Sequence, residues 1–170
     1  MKTIAKFGAA ALAATTMAFA ADAAMAQNAT YYESQIYTPA PVAQWDGLYL
    51  GGHVSFLESA FGVGKQVGFN VQSGDVVYGL QGSWTYFPSP GEYVVQGQGR
   101  LGMVVFDEFL AYVAAGIGTG SSNQAFVTAG AGTEFKFSDN ASFFEQVDGV
   151  WYNGGFQGLQ VKGGINWYID

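Results

Sequence analysis

Polar and apolar residues alternate along the chain from Trp45 onward, most plainly around Gln96-Gly97-Gln98-Gly99-Arg100-Leu101-Gly102-Met103. Even positions there carry Gln96, Gln98 and Arg100, and odd positions carry Tyr93, Val95, Gly97, Gly99, Leu101, Met103 and Val105. A side-chain period of two marks a β-strand whose two faces meet different media. Turn signals and further alternating runs predict strands near 46–57, 65–73, 75–87, 92–105, 109–119, 123–137, 141–152 and 156–169. A bilayer-crossing strand needs roughly 9–11 residues, so eight strands leave about five for each connection. Ten strands would leave two or three, and eight is the better count.

The two faces sort consistently from strand to strand. One collects Leu48, Leu50, Val54 and Phe56, then Val67, Phe69 and Val71, then Tyr78, Leu80, Trp84 and Tyr86. Later strands add Val127, Ala129, Ala131 and Phe135 to it, with Leu159, Val161, Ile165 and Trp167. The other face carries His53, Ser55, Gln66, Asn70, Gln72, Gln81, Ser83, Thr85, Gln96, Gln98, Arg100, Thr128, Glu134, Lys136, Gln160, Lys162 and Asn166. A soluble barrel hides its apolar face and shows water a charged one. Here only 11% of residues are charged, against ~25% in ordinary soluble domains. The pattern therefore predicts an all-β, eight-stranded, antiparallel up-and-down transmembrane barrel with short loops, apolar outside and polar inside. Aromatic residues near the strand ends fit two interfacial belts. One holds Trp84, Tyr86, Phe87, Tyr93, Trp151, Tyr152 and Phe156; the other holds Phe106, Phe109, Phe135, Phe137, Phe143 and Trp167.

The N-terminal region supplies the expected compartment. Lys2 and Lys6 precede an Ala-rich run from Phe7 to Ala20, and Ala24-Met25-Ala26 offers a small-x-small cleavage pattern. Residues 1–26 read as a secretory signal. Residues 27–44, with Thr38-Pro39-Ala40-Pro41, show neither strand nor helix period and read as a flexible segment before the barrel of 45–170. Six basic and thirteen acidic residues become four and twelve once Lys2, Lys6 and Asp22 are removed, a net charge of −8. Such a chain has no basic patch for phosphates, which argues against nucleic acid as a partner. With no cysteine present, disulfides and cysteine–zinc sites are excluded.

Candidate chemistry is sparse. His53-Val54-Ser55 with Glu58 is similar to the His/Ser/Glu arrangement of eight-stranded lipid A deacylases, but His53 and Ser55 fall on the face turned away from any acyl chain. Catalysis is not expected, and neither a metal nor any other cofactor is, because His53 is the only histidine and no ligand spacing accompanies it. The inward residues His53, Gln81, Gln96, Gln98, Arg100, Glu134, Lys136, Asp148, Gln160 and Lys162 instead predict a polar and ionic network, because an eight-stranded interior is just wide enough for side chains to fill it. Its ions must pair, since unpaired charges away from water are costly. A narrow ion path along the same residues is the alternative. A hairpin about Asn153-Gly154-Gly155 makes opposed residue numbers sum to about 308, which sets Gln146 against Lys162 and Asp148 against Gln160. Lys162 is then neutralised by Asp148, or by Glu145 if a bulge turns that residue inward.

Several blocks carry a family resemblance. Trp45-Asp46-Gly47-Leu48-Tyr49-Leu50-Gly51-Gly52 resembles the W-x-G-x-Y-x-G-G opening of small porin-family outer-membrane barrels, common as surface antigens of alphaproteobacteria. Gly99-Arg100-Leu101-Gly102, Tyr112-Val113-Ala114-Ala115-Gly116-Ile117-Gly118, Thr128-Ala129-Gly130-Ala131-Gly132-Thr133-Glu134-Phe135 and Ser138-Asp139-Asn140 resemble later family blocks in the same order. Gly164-Ile165-Asn166-Trp167-Tyr168-Ile169 is similar to the C-terminal assembly signal of such barrels, displaced by one residue. The resemblance implies an OmpA/OmpX-like monomer in the outer membrane of a Gram-negative cell, with membrane lipids and the barrel-assembly machinery as partners. A structural role in envelope integrity is the first expectation. A surface adhesin or receptor, or a small-solute or ion channel, is the second. Very short connections weigh against the receptor, and the width of the lumen weighs against the channel.

Overall fold

The computed structural model describes residues 44–89, 91–121 and 123–169. The secretory segment 1–26 and residues 27–43 of the proposed flexible segment lie outside the described residues. Alternation produces eight strands: β1 (Gly47–Leu57), β2 (Ala60–Ser73), β3 (Val76–Phe87), β4 (Glu92–Phe106), β5 (Phe109–Gly120), β6 (Ala125–Ser138), β7 (Ala141–Tyr152) and β8 (Gly155–Ile169). Each pairs antiparallel with its neighbours in sequence, and β1 pairs with β8 to close the barrel.

Following partners once around the wall measures the stagger. Gly47 leads through Asn70, Gly79, Arg100, Ala114, Gly130, Asp148 and Gln160 back to β1 at Leu57, ten residues from the start. Strands staggered this way tilt by about 40° and advance about 2.5 Å per residue along the barrel axis. Closure leaves no edge strand exposed to further pairing.

Most predicted strand limits lie within two residues of the observed ones, but β2 starts at Ala60 rather than 65. Gly62 and Gly64 read locally as loop residues. In the barrel they are strand residues that make room: a Cβ on Gly62 would lie 2.8 Å from the Phe87 ring, and one on Gly64 would lie 2.4 Å from His53 Nε2. The β1–β2 connection shrinks to Glu58-Ser59. On the β7–β8 side, Asn153 (φ 49°) and Gly154 (φ 75°) form the left-handed pair of a tight hairpin turn. Three two-residue turns at the end where β1 begins hold Asp75, Asp107, Glu108 and Asp139, so much of the acidic charge lies on one rim.

The wall is apolar outside, and its inward side chains are buried. Leu80 is 70% exposed and Ile117 is 68% exposed, whereas Asp148 and Lys162 are 0% exposed. One belt assignment is corrected. Phe87 is buried, because its odd number places it inward over Gly62 while Trp84 and Tyr86 point outward. The apolar part of the interior, with Trp45, Tyr49, Val77, Leu110, Tyr112, Ala114 and Tyr168, lies toward the end where β1 begins.

Candidate functional site

Among the described residues, the lumen holds two buried ion pairs on separate levels. On the lower level, nearer the start of β1, Arg100 of β4 meets Glu134 of β6 at 2.7 Å across the interior. Glu134 also accepts from Ser142 Oγ at 2.5 Å, Asn166 Nδ2 at 2.8 Å and the Tyr168 hydroxyl at 3.0 Å. Four donors from β4, β7 and β8 therefore converge on one carboxylate, the satisfaction a buried charge requires. Arg100 donates to the Tyr49 hydroxyl at 3.1 Å, and its guanidinium lies 4.0 Å from the centre of the Tyr112 ring.

On the upper level Lys162 of β8 pairs with Asp148 of β7 at 3.0 Å. Lys162 also donates to Gln96 and Gln98, each at 3.3 Å. Gln146 Nε2 contacts both Asp148 oxygens, at 2.9 and 2.8 Å, and Gln98 Oε1 at 2.9 Å. Gln81 reaches Gln98 at 2.9 Å and Gln146 at 3.0 Å. The Tyr112 hydroxyl donates to Gln146 and the Tyr49 hydroxyl to Gln81, so the two levels form one network. Thr128 accepts from Gln96 at 2.9 Å and from Gln98 at 3.1 Å.

All ten sequence-predicted inward residues lie inside, but they do not form one cluster. Arg100 and Glu134 form the lower pair, while Gln81, Gln96, Gln98, Asp148 and Lys162 form the upper group. Gln160 donates to Ser55 at 3.1 Å, and His53 Nε2 bonds Thr85 Oγ1 at 2.9 Å. Lys136 lies at the lower mouth: it donates to the Gln44 carbonyl and lies 5.3 Å from the Trp45 ring and 4.5 Å from the Tyr168 ring. Gln72 anchors the same mouth, since its side chain accepts from the Trp45 backbone at 2.7 Å and its own backbone donates to Asp46.

The His-x-Ser motif is not assembled for nucleophilic chemistry. His53 and Ser55 bond different partners, His53 Nδ1 has none among the described residues, and Glu58 packs over Gly158 at the end of the barrel. Activation of a serine needs a base on its hydroxyl and a third group orienting that base.

Tyr49, Tyr112 and Tyr168 were not among the sequence-predicted lumen residues, because aromatic side chains read more naturally as interfacial belts. Their parity was the available signal. Tyr112 and Tyr168 match the inward even positions of β5 and β8, and Tyr49 matches His53 and Ser55 on β1. Inward glycines opposite them confirm the direction, since a Cβ on Gly68 would lie 2.2 Å from the Tyr49 ring and one on Gly132 would lie 2.6 Å from Tyr112.

No protein-family model matches the chain, and no curated protein does. Solved structures do resemble it. The N-terminal β-barrel domain of Pseudomonas aeruginosa OprF aligns with a TM-score of 0.60 at 15% identity, over 72% of this chain and 96% of that one. The Yersinia pestis outer membrane protein Ail, in a phospholipid bilayer nanodisc, aligns with a TM-score of 0.54 at 10% identity, over 73% and 99%. A de novo designed transmembrane β-barrel aligns with a TM-score of 0.56 at 20% identity, over 75% and 99%. The fold is that of the eight-stranded transmembrane β-barrels.

Proposed function

We propose that this chain is an integral outer-membrane barrel of a Gram-negative envelope, with a structural role and an interior closed by its own side chains. The observation that carries the reading is the pair of buried salt bridges inside the lumen, Arg100–Glu134 between β4 and β6 and Lys162–Asp148 between β8 and β7, with Lys162 also reaching Gln96 and Gln98 of β4 where a pore would need water. The apolar exterior supports membrane lipids as the surrounding partner, and the inverted pattern supports delivery by outer-membrane assembly machinery. The ordered motifs from Trp45 to Asn140 support a place among the small porin-family surface-antigen barrels. Turnover, a bound cofactor and nucleic-acid binding form no part of the proposal. The different hydrogen-bond partners of His53 and Ser55 support a non-catalytic reading.

Planar-bilayer recording of the refolded protein tests the closed lumen. Silence at all voltages is expected from the wild type. Steady single-channel steps would overturn the plug and favour a small-solute or ion path.

A further inference from the structure

Two charges lie on the wrong face of this barrel. Lys65 points outward between Val63 and Val67 and is exposed, and Glu145 points outward between Phe143 and Val147. No bulge turns Glu145 inward, because β7 stays in register with β8 from Ala141 to Val150. Among the described residues neither forms an ion pair, and Lys65 has the Trp84 ring at 6.0 Å. On the proposed reading of the barrel as membrane-embedded, both charges face hydrocarbon. Lys65 is five residues from the outer end of β2 and eight from its other end. Glu145 is seven residues from the outer end of β7 and four from its other end. Both therefore lie in the middle third of the wall, about 5 Å apart in depth. An ionisable side chain there is costly to leave without a partner.

The wall between them is smooth. Lys65 stands opposite Gly52, Gly52 opposite Ile165, and Ile165 opposite Phe143, two residues from Glu145. The charges are thus roughly 15 Å apart around the barrel, too far to pair with each other. Gly163, the partner of Glu145, and Gly52 form a saddle between them, with Val54 above and Ile165 below. Nothing closer than 3.7 Å would meet a Cβ on either glycine, so the depression is open to the outside.

We propose that this face is an isologous interface with a second copy of the chain, each Lys65 pairing with the other copy's Glu145 across the Gly52–Gly163 saddle. Copies inserted in the same direction can be related only by a two-fold axis along the membrane normal, which brings residues of equal depth together. A cation and a carboxylate on opposite sides of such an axis are self-complementary: one contact creates two ion pairs. Glycine backbones between them permit the close approach that membrane interfaces favour. The expected monomer is then the dissociated state.

The absence of cysteine gives a clean test by cross-linking in liposomes at high lipid dilution. Val54→Cys and Ile165→Cys lie on the proposed axis and, with a mild added oxidant to accept the two electrons, should each form a disulfide-linked dimer. Ile117→Cys, on β5 across the barrel, should not. Lys65→Glu and Glu145→Lys, each in the Val54→Cys background, should lower cross-linking by more than about tenfold when alone. Mixed together they should recover it as a heterodimer, since one copy then carries two carboxylates and the other two ammoniums. Should either reversal prevent insertion, the uncharged Gly163→Leu variant should block the contact by bulk. Heat-shifted electrophoretic mobility reports insertion separately, so failure of the barrel reading is distinguishable from failure of the interface. Equal cross-linking at positions 54 and 117, or single reversals that link as well as the parent, would overturn the interface. Inserted monomers at every dilution would overturn it too, and would leave Lys65 to a lipid phosphate.

Discussion

A buried ion pair is most informative when one partner is removed. Lys162→Met leaves Asp148 uncompensated in a site with no solvent exposure, so unfolding in urea should show a loss of roughly 3–5 kcal/mol. Adding Asp148→Asn should recover part of that loss, because the remaining amide can bond Gln146 and Gln98. Additive single losses would mean that the two charges do not interact. On the opposite face Leu80→Arg should cost roughly 2–4 kcal/mol if the barrel is seated in a bilayer as proposed. A spin label at position 80 should be reached by lipid-soluble quenchers, and one at the buried position 81 should not. These orientations were readable from residue parity. The partner of each charge was less so: the register of β7 and β8 pointed to Asp148 for Lys162, but nothing local joined Arg100 to Glu134, 34 residues away.

At the scale of elements, turns and glycines decide how strands fit. Gly154 has φ 75° and nothing within 4 Å of a Cβ, so Gly154→Ala tests backbone strain alone. It should cost about 1–2 kcal/mol without altering the barrel, as judged by unchanged mobility and circular dichroism. Gly132→Val is different in kind, since its side chain would occupy the space of the Tyr112 ring and displace the hydroxyl from Gln146. The expected result is a larger loss than at Gly154, relieved in part by Tyr112→Ala. Equal losses at the two glycines would show that the ring is free to move away. Gly62 and Gly64 teach the same distinction: locally they signal a loop, and only the neighbouring Phe87 and His53 rings show them to be strand positions.

For the whole molecule, residues 45–170 should refold in detergent into a β-rich form whose electrophoretic mobility changes on heating. Helical circular dichroism after refolding would contradict the barrel. Alternation along the chain already contained the strand count, the facing of nearly every side chain and the inversion of polar and apolar surfaces, because each depends only on a period of two and on counting. Closure was decided by tertiary structure: the ten-residue stagger from Gly47 to Leu57 brings β8 against β1, and no local sequence signal encodes that distance. The same stagger gathers Arg100, Ser142, Asn166 and Tyr168 from three strands around the Glu134 carboxylate. Side-chain direction is a property of each residue and its neighbours, so the sequence alone determined it. Which inward groups meet across the lumen depends on barrel radius, tilt and shear together, so only the closed structure could decide it.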